Sequence, residues 1–395
     1  MKNIKLSKAT ALFFIGLFSL WALWTLVKSR PGVSAFSETN AGFFKLKLPN
    51  ASNEAIDSDQ LIDSLRIIPL SFSENAQVRA VMSISDVAIS RDKILLTSEK
   101  LQILGFDLNG NFLNQLVSQG EGPGEALQVL DYVIQDGKVY VLQSANPNIH
   151  VFDLNGFQYL RSFRIDPEYV YYQFDYFNGK WFFFAANNFG TPYSIHVYDK
   201  DFSRIVEMTL PNQLKIKSFT AIPSPPFYKG QDFFHIRSEF NDTIFQYDAD
   251  KGVSPFLVVD FGNHRIGRRE IEVLEKGDFD QASRLNASFD FSKIMKYAET
   301  DRHIFMSVIL SKEKTINEII VDKKNRTMRQ LSDMKFPGSD LPLHCIGVLP
   351  DDFFVFSYTD EADVDQIKST LTKGGRKPTM DISNTSAFLV LVRFK

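Results

Sequence analysis

Ile103-Leu104-Gly105-Phe106-Asp107, Ile149-His150-Val151-Phe152-Asp153 and Ile195-His196-Val197-Tyr198-Asp199 are one pattern met three times, each copy 46 residues after the last. Two copies run on into the same Asp-Leu-Asn-Gly, at 107–110 and 153–156. A fixed period of about 40–50 residues, built of short strand-like runs between turn signals, marks small sheets arrayed around an axis. The reading is an all-β, six-bladed β-propeller.

The second unit shows the plan. Residues 127–134 make one strand and 138–142 the next, joined at Asp136-Gly137. A third lies at 150–153, and Asn155-Gly156 turns the chain into a fourth at 159–165. Asn-Gly and Asp-Gly favour tight hairpins because both residues accept positive φ. The strands alternate weakly, as expected where both faces are covered by neighbouring blades.

Further units fall at about 85–117, 171–210 and 219–261. The period then lapses over 263–300, a polar insert expected to be helical at 268–275 and 291–300. A fifth unit follows at 303–331. The sixth comprises 343–349, 353–358 and 386–394, interrupted by a partly helical excursion over about 359–385. It lacks a fourth strand, whereas Ser64-Leu65-Arg66-Ile67-Ile68-Pro69-Leu70 is a spare one. Pairing that run with the C-terminal strand closes the ring, and Pro69 is tolerated on an outermost strand. Seven blades is the alternative if the insert hides strands.

Residues 1–30 carry five basic residues and no acid, leaving 39 basic against 47 acidic residues, or −8, on the remainder. An acidic body argues against nucleic-acid binding. The uncharged stretch 9–27 would make a helix of about 28 Å, near the bilayer's hydrocarbon thickness. We read 1–30 as a signal anchor or transmembrane helix, N-terminus inside, with secretion after cleavage near Ala35 as the alternative. Residues 31–60 read as a polar spacer and 61–395 as the propeller, placing the body outside the cytoplasm at the cell envelope.

The loop Gly120-Glu121-Gly122-Pro123-Gly124-Glu125, the following Gly137-Lys138-Val139-Tyr140 and the turn Phe152-Asp153-Leu154-Asn155-Gly156 resemble a bacterial family. Its members are extracytoplasmic six-bladed propellers, TolB-like or NHL-like in shape and mostly of unknown function. The resemblance implies a fold and supplies no catalytic residues. Many members carry a lipid-bearing cysteine after the apolar segment. Here the single cysteine is Cys345, so lipid anchoring is unsupported.

No motif commits the chain to a reaction. The glycine loop lacks the Gly-Lys-Ser/Thr of a phosphate cradle and precedes strands rather than a helix. Gly120, Gly122, Pro123 and Gly124 read as a structural crossing between blades. Glu121 and Glu125, with Arg79, are the candidate ligand-binding residues at the channel mouth. The six histidines lack metal-ligand spacing, and Asp360, Glu361, Asp363 and Asp365 miss the EF-hand pattern. Asp351-Asp352 sits in a turn, its two carboxylates pointing apart. We expect no metal and no cofactor, and a binding or scaffold propeller with a small ligand or an envelope protein as partner. The alternative is a hydrolase or lyase whose site is assembled across blades.

Overall fold

In the computed structural model, the described residues are 36–39, 42–48, 61–71, 84–90, 92–98, 103–144, 148–185, 191–212, 226–230, 232–238, 242–276, 279–331, 335–336, 339, 341, 345–349, 351–373, 382 and 385–395. They form six sheets of four blade strands, which in blades one to five are ordered from the inside out along the chain. Blade one is Ile84–Ile89, Lys93–Ser98, Ile103–Asp107 and Phe112–Gln115. Blade two is Val129–Gln135, Lys138–Gln143, Asn148–Asp153 and Tyr159–Arg164. Blade three is Gln173–Phe177, Lys180–Phe184, Tyr193–Tyr198 and Ile205–Pro211. Blade four is Phe227–Lys229, Phe234–Arg237, Thr243–Asp248 and Gly252–Asp260, and blade five is Lys293–Glu299, His303–Leu310, Thr315–Asp322 and Thr327–Leu331.

Blade six takes Cys345–Leu349, Phe353–Tyr358 and Thr385–Phe394 from one end of the chain and Ile62–Ser71 from the other. The closing pair is antiparallel, with Leu65 opposite Val392 and Pro69 opposite Phe388. Closure by an N-terminal strand is therefore as expected.

The repeated pentapeptide has a physical cause at each end. Its aromatic residue is core: Phe106, Phe152 and Tyr198 are all buried. Its aspartate builds the next turn. Asp107 Oδ1 accepts the N–H groups of Asn109 and Asn111, both at 2.9 Å. Asp153 accepts from Gly156 at 2.6 Å, Asp199 from Ser203 at 2.7 Å and Asp322 from Asn325 at 2.9 Å. A carboxylate that satisfies backbone donors stabilises the turn and so recurs wherever the turn does.

Burial explains the weak alternation. The core divides into six main clusters, each filling one seam between adjacent blades. In blade one, Ile94 and Leu96 face the seam with blade six, while Leu95 faces the seam with blade two. Alternation survives in direction but not in polarity, because both faces are dry. The seam between blades two and three is mainly aromatic: Trp181 stacks on Phe202 at 4.8 Å and on Phe174 at 5.6 Å between ring centroids. The phenylalanines buried in these clusters are seam filler of this kind.

Three expectations need correction. The segment 291–300 is not helical: Lys293–Glu299 is the inner strand of blade five, which begins ahead of residue 303. Its charged residues read as helix surface, whereas they flank a channel and a seam. The helices of the insert are Arg268–Lys276 and Phe279–Ala287, and its described residues form no further blade. Within the stretch expected to be a polar spacer, Phe44–Lys47 forms a fifth strand on blade four, parallel to Gly252–Asp260. Leu46 is fully buried there, and that burial holds the strand down. The excursion in blade six does hold a helix, Glu361–Lys373, which buries Val364 and Ile367. The apolar stretch 9–27 lies outside the described residues, among which no helix is long and apolar enough to cross a membrane.

Candidate functional site

The inner strands of all six blades surround a channel of about 900 Å³. Its wall alternates apolar residues, among them Val87, Val133, Tyr228 and Ile346, with charged groups. Among the described residues six carboxylates line it, those of Asp131, Asp175, Glu299, Asp301, Asp351 and Asp352, against the two lysines Lys229 and Lys296. Low-dielectric walls carrying an excess of one sign focus the field within a cleft.

Several of these groups brace neighbouring blades. Asp131 of blade two accepts the N–H of Phe174 in blade three at 2.8 Å. Asp175 of blade three is ion-paired with Lys229 of blade four. Lys296 of blade five donates to the carbonyl of Cys345 in blade six at 3.4 Å. Asp352 accepts the N–H of Arg302 at 3.0 Å. Asp351 and Asp352 lie at φ +64° and +63°, so both form the hairpin turn that follows the inner strand of blade six.

The most enclosed group is Glu299, a carboxylate with no exposure. Its Oε2 lies 2.5 Å from His235 Nδ1 of blade four and accepts the Tyr297 hydroxyl at 2.5 Å. Its Oε1 accepts Lys323 Nζ at 2.8 Å. Burial pushes the Glu299 carboxyl up, but His235 and Lys323 outweigh it and hold the group below the usual glutamate range. Burial, with Glu299 beside it, drives the Tyr297 hydroxyl far up, so it stays a donor. Burial likewise pushes the Cys345 thiol in the channel wall up to about 12, so Cys345 is not a thiolate nucleophile near neutrality.

Neither Glu121 nor Glu125 is among the residues lining the channel. Their loop folds back on itself, with Ser118–Gln119 parallel to Glu125–Ala126 and Glu125 Oε2 accepting the Gly122 N–H at 2.9 Å. Gly124, at φ +80°, lies so close to blade two that a Cβ there would sit 2.8 Å from Tyr159 Cβ. Gly120, Gly122, Pro123 and Gly124 thus belong to a crossing packed between blades one and two. Arg79 lies outside the described residues.

Among the described residues no three His, Cys, Asp or Glu side chains gather in a way that would hold a metal ion. His150 is bonded at both nitrogens, to Ser162 at 2.7 Å and Gln143 at 3.1 Å. His196 is bonded to the Tyr171 hydroxyl at 2.8 Å. Sequence reasoning missed His235, Glu299, Tyr297 and Lys323. The available signal was charge inside an inner strand, and it was hidden once 291–300 had been read as helix.

Six four-stranded blades around a charged channel define a β-propeller. The chain belongs to the family described as a domain of unknown function (DUF4934), whose profile matches residues 43–377. Among solved structures it resembles a protein from Bacteroides fragilis described as a putative exported protein (BF0058), at 16% identity and TM-score 0.70, covering 89% of this chain and 99% of that one. The WD40 propeller domain of Doa1 aligns at 13% identity and TM-score 0.38, over 76% of this chain and 80% of that one. BamB from Moraxella catarrhalis aligns at 10% identity and TM-score 0.33, over 78% and 69%. No curated protein matches the chain.

Proposed function

We propose that this protein is an extracytoplasmic binding propeller at the bacterial cell envelope, and that its channel takes a small ligand bearing positive charge. The observation that carries the reading is the excess of carboxylates among the described residues of the wall, six against two lysines. Alternating apolar and polar groups around an enclosed space suit ligand binding. The location is supported by the likeness to a Bacteroides fragilis protein described as a putative exported protein and by the basic-flanked apolar stretch 9–27. We place the chain beside the TolB-like and NHL-like propellers on the strength of its glycine loop.

The test is thermal unfolding of the purified full chain with a diamine, a quaternary ammonium compound, a neutral polyol and a dicarboxylate. A ligand present at 100 times its Kd adds about 2.7 kcal/mol to the native state. Stabilisation by the cations alone, weakened in Asp301→Asn and Asp351→Asn, is the expected result. Stabilisation by the polyol or the dicarboxylate, or by none of the four, would sink the reading.

A further inference from the structure

The fifth strand on blade four is half of a hairpin, Phe36–Glu38 paired with Phe44–Lys47. Thr39 N–H donates to the Phe43 carbonyl at 2.8 Å and closes its turn. The hairpin lies across two blades. Lys45 is ion-paired with Asp260 of blade four at 2.9 Å. Glu38 is ion-paired with Arg326 of blade five at 3.1 Å, and that guanidinium also sits over the Phe44 ring.

From Phe44 an unbroken line of contacts leads to the channel. The Phe44 ring meets Phe256 edge-on, centroids 5.6 Å apart. Phe256 stacks on the His235 imidazole at 3.8 Å and 23°. His235 contacts Glu299, and Glu299 holds Tyr297, whose ring meets Tyr228 at 4.7 Å. Glu299, Tyr297, Tyr228 and Cys345 all line the channel. The imidazole is stacked between Phe256 and Phe233, the latter at 4.6 Å and 27°, and its Nδ1 edge meets the carboxylate of the inner wall. A shift of Phe256 uncovers one face of His235, and close-packed groups transmit displacement.

We propose that the hairpin is a strap coupled to the channel, so that peeling it from blade four and loosening the Glu299–Tyr297 wall are one equilibrium. The two-state element is the hairpin, docked or released, and the coupling is reciprocal. A pull or a binding partner acting on the chain ahead of Phe36 reaches the channel by this route. Conversely, a ligand that draws on Glu299 changes how firmly the strap holds.

The test uses the full chain with labelled histidines, His235 being assigned through His235→Gln. Three readouts are needed: hydrogen exchange over 44–47, the His235 ring nitrogen shifts, and the rate at which a small neutral maleimide modifies Cys345. Phe44→Ala removes the ring. Leu46→Ala loosens the strand while leaving the ring in place, and an internal deletion of 36–47 makes release complete. Leu160→Ala on blade two is the control, and a single cooperative melt certifies each fold. The expected result is faster exchange, moved His235 resonances and labelling of Cys345 raised about tenfold, a typical coupling magnitude. Released strap residues with His235 and Cys345 unchanged in either point variant, or in the deletion, would overturn the proposal.

Discussion

The Glu299 carboxylate of blade five stands 2.5 Å from His235 Nδ1 of blade four, and both side chains are shut off from solvent. A charge buried this deeply persists only where its partners repay the lost hydration, and three do so here. Glu299→Gln leaves the Lys323 ammonium facing a neutral amide. We expect a loss of about 3–5 kcal/mol in urea unfolding at pH 7. The pH dependence has a definite sign. The folded carboxyl titrates below its unfolded value, near 4.3, so its contribution is present above that value and lost as pH falls through the folded one. Glu299→Gln should therefore flatten the acid limb of the stability profile.

Buried histidines set a second, milder acid dependence. His196 has no exposure, and burial lowers its pKa to about 4. The unfolded chain takes up this proton near pH 6.5 and the folded one does not. Stability is thus full above about pH 6.5 and declines until about pH 4, where the folded ring also charges. The shift amounts to roughly 3 kcal/mol across that window. His150 and His303 are displaced the same way by burial and deepen the slope. Unfolding free energies at half-unit intervals from pH 7.5 to 4 measure it, and a flat profile would contradict the assignment.

Two glycines in identical Asp-Leu-Asn-Gly turns should answer differently to alanine. A Cβ at Gly110 would lie 1.8 Å from the Pro69 carbonyl oxygen, and its φ is +87°. At Gly156 the nearest atom would be 3.5 Å away, an ordinary contact. Gly110→Ala forces the turn of blade one off the closing strand and should cost several kcal/mol, at least ~2. Gly156→Ala should stay within about 1 kcal/mol of wild type. Calorimetry of the pair distinguishes a shared turn chemistry from a contact made by only one copy.

Trp181 tests the seams. It is buried among Tyr140, Phe174, Tyr176 and Phe202, and its indole N–H reaches the Lys200 carbonyl at 3.2 Å. Trp181→Ala removes the largest side chain of the seam between blades two and three and should cost about 3–5 kcal/mol. Trp181→Phe should recover most of that and leave the N–H contact as the remainder. Chemical denaturation of both variants checks the ranking.

The architecture was legible because the repeat records local necessities. Each aspartate at the end of a third strand has a turn to build, and each aromatic before it has a seam to fill. Ile62–Ser71 could be placed because an unpaired apolar strand and an incomplete blade stand at opposite ends of one chain. The inner strand of blade five was not legible: Lys293, Lys296 and Glu299 give it helix-like polarity, and only the ring around them explains the charges. Phe44–Lys47 escaped notice because four residues carry no period. The channel groups were hidden for a related reason. Asp131, Asp175 and Glu299 come together only through the sixfold arrangement, and no spacing along the chain encodes it.

The joining of Ile62–Ser71 to Thr385–Phe394 also governs the order of assembly. The first of these strands is synthesised more than 300 residues before its partner. Until the partner arrives, Ile68 and Leu70 have no second wall to shelter them. Blades one to five can nucleate on neighbouring contacts, but completion must await the last ten residues, and non-local pairing of this kind is slow. A chain that lacks Thr385–Phe394 would therefore forfeit the weld of the whole circle, exposing Ile62–Ser71 to chaperones and proteases.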